Sequence, residues 1–415
     1  MSNPTSSPAK DQCLYCGNNP TSHSMSKMDS WLFLTLDPLG QWFLKTWLGA
    51  IILWGIDKLF LGFLALGTRF GFMYFAPVPS DLDSDRGKVL IDEANARGYK
   101  TEVLYMFGKI HDSYRVTFPT GQALIFEGVP RLSRVNAMTS SWLDDKAQMK
   151  RCLQKHSVPV PNGAAVTTWS QAKKLFSTLE KPVIIKPRFG SRGRHTTTNI
   201  STLEDFRMAF TRAKQLCVQV IIEEHYVGSV YRATCVEGKL TGVLGGDPPR
   251  ITGDGVSTIA TLIERKNATK PDRVGLVRLT DKHHEFLRLQ GYTLDSVLEN
   301  GITIDLIEKI GLSYGGSSAE VTDVTHPALV LELERAAVAV GDPLVGFDFI
   351  TTSVEADPAT VRWGIIECNS VPFINLHHDP LLGTPVNVAG KVWDWVEREY
   401  VRKGMPKEVI LETPV

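Results

Sequence analysis

The stretch WGIIECNSVP, residues 363–372, is the most informative part of the sequence because it places a carboxylate and a carboxamide two residues apart on an otherwise apolar strand. Side chains alternate along a strand, so Glu367 and Asn369 are expected to face the same side. Buried polar side chains are costly without a partner, and a divalent cation bound to phosphate oxygens is a suitable one. Asp348, in the apolar run GFDF at residues 346–349, can supply a third oxygen ligand. The alternative that these residues leave open is a carboxylate at a sheet end that accepts hydrogen bonds from backbone amides.

The composition of the chain sets its size class and its range of partners. A chain of 415 residues is long enough for two or three domains with a large core. Its 45 basic and 45 acidic side chains balance, so no overall positive field favours nucleic acid, and we expect no nucleic-acid partner. The six cysteines do not form a disulfide framework, which indicates a reducing compartment, and we expect a cytoplasmic protein.

The first 30 residues are polar and rich in Ser, Asn and Pro, which predicts a flexible tail over residues 1–30. Within it, Cys13 and Cys16 are separated by two residues, and His23 follows. This spacing supplies at most half of a zinc site, because the chain offers no second cysteine pair. From the sequence alone, a free cysteine pair is therefore favoured over a metal centre.

The next segment, residues 31–80, is predicted to be an apolar helical extension. Its most apolar and aromatic part is residues 42–76, but Asp57 and Lys58 interrupt the longest apolar window, so a simple transmembrane helix is not favoured. The composition suits a membrane-interface hairpin, a buried helix pair or a homodimer contact, and the sequence leaves all three open. Membrane association of a cytoplasmic protein is thus one of the alternatives. The segment begins too late and is too long for a cleavable signal peptide.

Alternating helix and strand patterns follow this segment and predict an α/β organisation. A helix at residues 201–214 should begin with a capping box of Ser201 and Glu204, and residues 231–244 should form a hairpin. Residues 245–325 are glycine-rich and are interpreted as a long irregular insertion, a kind of loop that usually binds something. The other predicted elements are helices at residues 88–97, 141–156, 327–340 and 385–402, and strands at 101–105, 182–187, 217–223, 345–351 and 363–368.

Lys186 ends one of these predicted strands and leads into the sequence RFGSRGRH at residues 188–195. Two glycines, a serine and three arginines within eight residues indicate a mobile loop whose amides and guanidinium groups can cradle polyphosphate. The loop is neither a Walker A loop, since Gly-Lys-Ser/Thr is missing, nor a Rossmann fingerprint. The alternative is a solvated turn that binds nothing. The candidate phosphate-binding residues of the loop are Gly190, Ser191, Arg192, Gly193 and Arg194.

The order of these features along the chain carries more information than any one of them. A helix-start lysine, Lys146, precedes the strand lysine Lys186, the glycine-rich loop, a strand ending in EEHY at residues 223–226, and the late carboxylates. This order closely resembles the ATP-grasp superfamily, and within it the ATP-grasp module of cyanophycin synthetases and of bifunctional glutathione synthetases. The resemblance extends from about residue 84 to 402, and insertion phrases such as TGDGVSTI at residues 252–259 look particularly like cyanophycin synthetase.

The resemblance implies an α/β and α+β chain with the ATP-grasp fold, in which a preATP-grasp domain precedes two ATP-grasp subdomains that clamp the nucleotide, here with an apolar N-terminal extension. It implies an ADP-forming carboxylate–amine ligase that makes an amide or peptide bond through an acyl phosphate, with an amino acid or small peptide as substrate. ATP and Mg²⁺ are the expected cofactors, with Mn²⁺ as an alternative ion. The implied divisions are residues 81–140 (preATP-grasp domain), 141–228 (subdomain with the glycine-rich loop), 229–403 (C-terminal subdomain with the insertion) and 404–415 (tail).

The resemblance also implies roles for single residues. Lys146 and Lys186 match the two lysines that hold the nucleotide phosphates, and the loop at residues 190–194 matches the segment that closes over them. The interdomain hinge that grips adenine is matched by Glu223, Glu224 and Tyr226, and the magnesium ligands are matched by Asp348, Glu367 and Asn369, which the strand pattern had already indicated.

The match to the family is incomplete around the expected catalytic arginines. Arg232 matches a basic residue that faces the γ-phosphate and the acceptor carboxylate in similar ligases. Residues 245–246 are glycines where the family has arginines, so Arg250 or Arg278 is expected to supply that charge, and Val230 replaces an acidic ribose ligand. These departures leave open a catalytically weak, ATP-grasp-like nucleotide-binding or regulatory protein. The candidate substrate contacts lie in the insertion and are Ser317, Ser318, Asp323 and His326.

Overall fold

The computed structural model describes residues 13–16, 21–44, 46–80, 82, 85–131, 141–190, 193–307 and 310–402. The chain divides into two compact units, each with its own sheet and its own hydrophobic core. Unit 1 comprises Met1–Ile52, Asp144–Arg151 and Val160–Tyr226, and unit 2 comprises Leu53–Leu143, Cys152–Pro159 and Val227–Val415.

Two long helices lie near the start of the chain, α1 (His23–Leu44) and α2 (Trp47–Arg69). The prediction of a flexible tail over residues 1–30 is therefore wrong for its last part, which is helical from His23 onward because it continues directly into the apolar segment. In the part of the chain that the structure describes, no helix is both long and apolar enough to cross a membrane.

Each of these helices has an anchor in one unit. In unit 1, the Ser30 hydroxyl of α1 is buried and accepts a hydrogen bond from the backbone N–H of Val218 at 3.0 Å. In unit 2, Leu64 near the end of α2 is buried against Met73 and Leu104. The anchors use few of the apolar side chains on the two helices, and many of the others remain exposed.

The first sheet of unit 2 is an antiparallel meander in the order β1-β2-β3-β4, formed by β1 (Met73–Pro77), β2 (Lys100–Met106), β3 (Lys109–Thr117) and β4 (Ala123–Glu127). Helix α3 (Asp85–Ala96) joins β1 to β2 and contributes Leu90 and Ala94 to the core on this sheet. The predicted helix at residues 88–97 and strand at 101–105 are confirmed.

The remaining elements of unit 1 follow a short 3-10 turn (Ser141–Asp144). They are α4 (Lys146–Lys155), whose first residues belong to unit 1, then β5 (Gly163–Val166), α5 (Trp169–Thr178), β6 (Val183–Pro187), β7 (Thr197–Ile200), α6 (Leu203–Ala213) and β8 (Val220–Glu224). The predicted capping box of Ser201 and Glu204 is wrong by one residue. The N-cap of α6 is Thr202, whose hydroxyl accepts a hydrogen bond from the backbone N–H of Asp205 at 3.1 Å.

The four strands of unit 1 form an antiparallel sheet in the order β5-β8-β6-β7. Phe176 of α5 and Phe206 of α6 pack on the face of this sheet that presents Val183 and Ile185. Because neighbouring side chains alternate, Lys186 on β6 points to the opposite face. The two helices thus bury one face and leave the charged side chains to the other.

The C-terminal part of unit 2 begins with the predicted hairpin, which is confirmed. Its elements are β9 (Ser229–Val236), β10 (Lys239–Asp247), β11 (Arg250–Thr252), α7 (Ile259–Thr269), α8 (Asp281–Leu289), β12 (Thr303–Asp305), β13 (Ser317–Glu320), α9 (Pro327–Val340), β14 (Leu344–Thr351), β15 (Trp363–Asn369), α10 (Asn375–His378) and α11 (Val388–Val396), which continues as a π-helical segment over Glu397–Arg402. Five strands form one antiparallel sheet in the order β13-β10-β9-β14-β15.

The insertion at residues 245–325 is more regular than expected. Strands β11 and β12 pair with each other, and Ile259, Ile263, Leu287 and Leu298 form a core of their own with neighbouring apolar residues. The interpretation as an irregular insertion is therefore wrong where these helices and strands form. Its glycines separate short helices and strands and do not prevent these elements from forming.

Candidate active site

Three buried charged side chains meet in unit 1, on the sheet face opposite α5 and α6. The Lys186 ammonium lies 2.5 Å from one carboxylate oxygen of Glu223, and the Lys150 ammonium contacts the other oxygen. Lys150 also donates a hydrogen bond to the backbone carbonyl of Pro161 at 2.9 Å. The side chains of Lys150, Lys186 and Glu223 are 5%, 8% and 1% exposed, so this Lys–Glu–Lys cluster is almost completely removed from water.

The charges of the Lys–Glu–Lys cluster do not cancel. Burial by itself would raise the pKa of Glu223, but the ammonium groups of Lys186 and Lys150 outweigh it and hold that pKa below its usual range. Burial lowers the pKa of Lys150, and Glu223 opposes this effect only in part. Two lysines thus share a single carboxylate in a dry environment, so the cluster has more basic than acidic side chains. Such a site favours the approach of an anion, for instance a phosphate oxygen.

Helix α4 places a third lysine beside the glycine-rich loop. Asp145 caps the helix, since its carboxylate accepts the backbone N–H of Ala147 at 2.9 Å, and the Lys146 ammonium donates to the carbonyl of Gly190 at 2.7 Å. Both oxygens of Asp145 also bind the guanidinium of Arg188, at 2.7 and 2.5 Å. Burial would raise the pKa of Asp145, but Arg188 and the cap hydrogen bonds lower it. One carboxylate thus fixes both the helix start and the beginning of the loop.

The described part of the glycine-rich loop has the backbone that such a loop needs. Gly190 has φ of 128° and Gly193 has φ of 63°, both in the region that favours glycine, and no atom of the described residues outside their chain neighbours lies within 4 Å of a Cβ position at either residue. Arg194 is half-buried. The two other candidate phosphate ligands of the loop, Ser191 and Arg192, lie outside the described residues.

Strand β8 ends at the segment expected to grip adenine. The Glu224 carboxylate accepts two hydrogen bonds from the side-chain amide of Asn162, each 3.2 Å long. The next residue, His225, has a buried Nδ1 without a hydrogen-bond partner among the described residues, and burial lowers the pKa of its imidazole. Tyr226 follows and is half-buried. The segment therefore offers a neutral ring nitrogen that can bond to a neutral partner such as a base edge.

In unit 2, the expected metal ligands lie side by side on the sheet. Asp348 on β14 is directly opposite Arg232 on β9 and Glu367 on β15. Nε and Nη2 of Arg232 donate to the two oxygens of Asp348 at 2.9 and 3.1 Å, and the side-chain amide of Asn369 lies 3.4 Å from the first of these oxygens. Burial would lower the pKa of Arg232, but Asp348 and Glu367 outweigh it and raise that pKa. The structure thus brings Asp348, Glu367 and Asn369 together, and their role as metal ligands stays a prediction.

The unit 2 group fits a hard divalent cation. Mg²⁺ prefers oxygen ligands, and the group offers two carboxylates and one carboxamide oxygen. The bidentate contact with Arg232 leaves lone pairs on both Asp348 oxygens, because an ionised carboxylate has about four acceptor sites. Asn369 would present its oxygen after a rotation of the amide that exchanges two atoms of nearly equal size. Asp348, Glu367 and Asn369 are the residues that would hold the ion.

The arginines proposed to replace the family's missing charge have different surroundings. Arg250 binds Asp305 at 2.6 Å and Asp247 at 2.8 Å, so its charge is already paired within the insertion. Arg278 lies in the segment between α7 and α8 and is exposed. The structure brings neither of them into the row formed by Arg232, Asp348 and Glu367.

The candidate substrate residues lie at three places along the chain: strand β13, a short 3-10 turn and the start of α9. Ser317 and Ser318 lie on β13, which is three strand positions from β14 and therefore about 14 Å away along the sheet. Asp323 is exposed on a short 3-10 turn. His326 caps α9, and its Nδ1 accepts the backbone N–H of Ala328 at 3.2 Å. The side chain of His326 thus has a structural partner in addition to its expected role.

Lys150 is the site residue that the sequence interpretation missed. It lies one helical turn after Lys146, so both side chains project from the same face of α4. This i, i+4 spacing was a usable signal, because two lysines on one face of a helix that also carries buried Met149 and Leu153 need an anionic partner. Only the pairing of β8 with β6 showed that this partner is Glu223.

The chain is similar in sequence to two kinds of biosynthetic protein. The cyanophycin synthetase of Trichormus variabilis is 33% identical over 258 residues, which cover 60% of this chain and 28% of that protein. The bifunctional glutathione biosynthesis protein of Clostridium perfringens is 26% identical over 319 residues, which cover 74% of this chain and 40% of that protein. The chain thus spans less than half the length of these relatives. No protein-family model matches the chain.

A solved structure of one such relative shows which fold the chain has. The crystal structure of a bifunctional glutathione synthetase from Pasteurella multocida superimposes with a TM-score of 0.54 and 23% identity, covering 76% of this chain and 43% of that one. At this level of identity the similarity concerns the fold alone. The chain therefore has the ATP-grasp fold and is related in sequence to the cyanophycin synthetases and bifunctional glutathione synthetases.

Proposed function

We propose that the chain is an ADP-forming carboxylate–amine ligase that uses Mg-ATP to activate an amino acid or small peptide and joins it to an amine. The observation that carries the proposal is the row Arg232, Asp348 and Glu367 across three adjacent strands, with Asn369 beside it. Two carboxylates opposed to one arginine at a partly buried position are the arrangement expected for charge neutralisation around phosphate oxygens. The relationship to two kinds of synthetase supports the same chemistry.

The lysines of unit 1 are proposed to bind the phosphates of ATP. Lys186 and Lys150 would turn part of their hydrogen-bonding capacity from Glu223 to phosphate oxygens, since each ammonium has three donors. Lys146 would do the same while keeping the loop carbonyl of Gly190 in reach. Glu223 keeps the two buried ammonium groups together when no nucleotide is bound, because without it they would repel each other.

The residues of unit 2 are proposed to hold the metal ions and to position the reacting groups. Bound Mg²⁺ would neutralise charge on the oxygens of the γ-phosphoryl group while that group is transferred. Arg232 holds Asp348 in place through a bidentate contact and carries a fixed positive charge for the γ-phosphate or the acceptor carboxylate. Asp348, Glu367 and Asn369 then need only small side-chain adjustments to coordinate the ion.

The proposed reaction balances without a protein nucleophile. A carboxylate oxygen of the substrate attacks the γ-phosphorus, the bond to the β-phosphate oxygen breaks, and ADP leaves. The amine nitrogen then attacks the acyl carbon, the carbon–oxygen bond to the phosphoryl group breaks, and phosphate leaves with that carboxylate oxygen and with the proton that the nitrogen gives up. The protein contributes positioning and charge neutralisation, which supply most of the catalysis in phosphoryl transfer. The glycine-rich loop is proposed to close over the phosphates and to exclude water.

The acceptor side is assigned to the insertion. We propose that Ser317 and Ser318, about 14 Å across the sheet from the strand of Asp348, contact a substrate long enough to span that distance, such as a short peptide. Asp323, His326, Arg250 and Arg278 are further proposed contacts, with the two arginines as partners for a substrate carboxylate. An extended dipeptide is about 7 Å long, so a substrate that reaches β13 needs at least its side chains or a further residue.

The test is ADP release by the purified chain in the presence of Mg-ATP, measured with and without a pool of the twenty amino acids and short peptides. We expect release to rise on addition of the pool and to be lost in Glu367→Gln. The matched control is Glu355→Gln, which removes the same charge from an exposed position and should retain full activity. Equal ADP release by wild type and Glu367→Gln would overturn the assigned metal site.

A second function is favoured by specific departures from the family pattern. Val230 stands where relatives are expected to have an acidic ribose ligand, and Gly245 and Gly246 stand where they are expected to have arginines. The alternative is a nucleotide-binding or regulatory protein with weak catalysis. In a thermal-shift experiment this protein would be stabilised by Mg-ATP while ADP release stayed at background with every acceptor in the pool. The ligase is stabilised by Mg-ATP and also turns it over.

The exposed apolar faces of α1 and α2 suggest an additional contact. Trp42, Trp47, Trp54 and Leu59 are between 49% and 76% exposed, which argues against a buried helix pair. We propose that these faces lie on a lipid surface, because tryptophan is enriched at membrane interfaces. Co-sedimentation with vesicles of phosphatidylcholine and phosphatidylglycerol should carry wild type into the pellet, and Trp47→Ser should reduce binding. A dimer in light scattering without vesicle binding would assign the faces to a second copy of the chain instead.

A further inference from the structure

Four side chains with metal-binding atoms converge in unit 1, outside the nucleotide and magnesium residues. They are Cys13, Cys16, His23 and His195, and their ligand atoms all lie within 4.8 Å of one another. The Cys16 sulfur is 3.3 Å from Nε2 of His23 and 3.4 Å from Nε2 of His195, and the Cys13 sulfur is 3.4 Å from the same His195 nitrogen. Among the residues that the structure describes, no other group of three or more such side chains meets in this way.

The separations match those around a tetrahedral ion. Zinc binds cysteine sulfur at about 2.3 Å and histidine nitrogen at about 2.05 Å, so a sulfur and a nitrogen on the same tetrahedral ion are about 3.6 Å apart. The three observed sulfur–nitrogen distances of 3.3–3.4 Å are close to this value. The four side chains can therefore close around an ion with small adjustments.

The tautomer of His195 is fixed by a second hydrogen bond. Its Nδ1 lies 2.8 Å from the backbone carbonyl of Arg212 on α6, which can only accept, so Nδ1 carries the proton and Nε2 keeps its lone pair. That lone pair points to both cysteine sulfurs. A ring N–H given to a backbone carbonyl is the usual support of a metal-binding histidine.

Burial and several hydrogen bonds hold the residues around the cluster in place. Cys16 and His195 are 5% and 1% exposed. The backbone N–H of His195 donates to the carbonyl of Tyr15 at 3.1 Å, and the Tyr15 hydroxyl accepts from Arg212 at 2.8 Å. His195 also has φ of 51°, which is uncommon outside glycine and is found where the surroundings enforce it. These contacts seat the Cys-x-x-Cys turn on the end of α6 and beside the glycine-rich loop.

We propose that Cys13, Cys16, His23 and His195 bind one Zn²⁺ ion in a structural Cys₂His₂ site. Four protein ligands leave no open position for a substrate, which is the mark of a structural rather than a catalytic zinc site. Two thiolates also balance the charge of the ion. The sequence interpretation of half a zinc site is corrected by His195, which lies 179 residues after Cys16 and completes the ligand set together with His23.

The thiols add an observable consequence. Zinc binding requires thiolates, and it should therefore release protons and weaken as the pH is lowered.

Zinc binding at this site would also affect the glycine-rich loop, an inference that rests on the proposed function. His195 directly follows Arg194, the last residue of the glycine-rich loop. An ion that binds His195 to Cys13 and Cys16 would fix the carboxyl end of the loop, while Lys146 holds its Gly190 end. Removal of zinc should then raise the KM for ATP more than it lowers kcat. Metal content is measured without nucleotide, so a chain that binds zinc but lacks ligase activity would refute the proposed function alone.

The experiment is metal analysis of the full chain, purified without chelator, followed by exchange with Co²⁺. We expect about one zinc per chain, and after exchange the thiolate-to-cobalt charge-transfer and d–d bands of a tetrahedral site. Cys16→Ser and His195→Gln should reduce bound zinc at least tenfold. The control is Cys152→Ser, a half-buried cysteine of unit 2 whose thiol donates to the carbonyl of Ala339, and it should keep the full zinc content.

A second measurement covers variants that fold poorly. In the wild-type chain, zinc should protect Cys13 and Cys16 from alkylation, with the modified peptides located by mass spectrometry, while the reactivity of Cys152 should not depend on zinc. The proposal is overturned if the wild-type chain binds less than about a tenth of an equivalent of Zn²⁺ after incubation with excess ion. It is equally overturned if Cys16→Ser and His195→Gln retain wild-type zinc content.

Discussion

Replacing Glu223 by glutamine removes the negative charge that holds Lys150 and Lys186 together at a position where the carboxylate is 1% exposed. Removing one partner of a buried ion pair costs about 3–5 kcal/mol. Glutamine keeps an oxygen that accepts one hydrogen bond, so we expect the lower end, about 3 kcal/mol less free energy of unfolding at pH 7. For a unit of this size the loss corresponds to a melting temperature lowered by about 6–12 °C.

The pH dependence of this loss has a definite sign. Glu223 has a lowered pKa in the folded protein, so its stabilising contribution is complete above its ordinary pKa of about 4.3 and is lost as the pH falls through the folded-state pKa. The difference in unfolding free energy between wild type and Glu223→Gln should therefore be constant from about pH 7 to pH 5. It should shrink below about pH 4.3.

The assay is urea unfolding followed by circular dichroism across this pH range. The matched control is Glu224→Gln, the next residue on β8, which is also buried and whose carboxylate accepts two hydrogen bonds from the Asn162 amide and interacts electrostatically with Lys150. We expect this control to lose about 1 kcal/mol, the value of a typical hydrogen bond. The reasoning is refuted if Glu223→Gln loses no more than the control at pH 7, or if its loss is undiminished at pH 3.5.

Three further predictions concern the two units separately. Asp348→Asn should lower ADP release at least about 100-fold, because it removes one oxygen charge from the metal site and leaves Arg232 without its partner; activity within threefold of wild type in a steady-state assay would contradict the assignment. Lys150→Met should raise the KM for ATP about tenfold, the value of one charge-assisted hydrogen bond, and an unchanged KM would restrict Lys150 to a structural role. His326→Ala should lower the free energy of unfolding by about 1 kcal/mol through loss of the α9 cap, whereas a raised KM for the acceptor with unchanged stability would show that His326 acts on substrate instead.

The shared strand face of two proposed metal ligands was predictable because it depends on the local geometry of a strand. Alternation alone put Glu367 and Asn369 on one face of a strand, and the observed register places Glu367 opposite Asp348. Alternation could not show which strand lies on the other side of Asp348. The contact with Arg232 arises because β9 pairs with β14 across more than a hundred residues of sequence. The resemblance to a family had indicated Arg232 only as a residue that faces the γ-phosphate and the acceptor carboxylate.

The insertion shows why composition misleads where elements are short. Its glycines suggested irregular chain, yet Ile259 and Ile263 are four residues apart and form one buried face of α7. The pattern was too short to stand out from its surroundings, since α7 and α8 are brief and are separated by a turn-rich segment. Packing of Leu287 and Leu298 against the same core stabilises elements that local propensity alone does not specify.

The zinc ligands show the limit of spacing as a signal. Cys13 and Cys16 have the separation of a zinc-binding turn, but their partner His195 belongs to a loop that the sequence assigned to phosphate binding. No rule of spacing relates residues so far apart. Their proximity follows from the seating of Tyr15 on Arg212, a tertiary contact within unit 1.

Oxygen-18 transfer tests most directly whether the chain activates a carboxylate as an acyl phosphate. Wild-type chain is incubated with Mg-ATP and a pool of amino acids and short peptides labelled with oxygen-18 in every carboxyl group, and the released phosphate is analysed by mass spectrometry. We expect one oxygen-18 atom in each phosphate, because the carboxylate oxygen that attacks the γ-phosphorus leaves with it when the amine attacks. Phosphate released without label in the presence of an accepted substrate would contradict activation through an acyl phosphate.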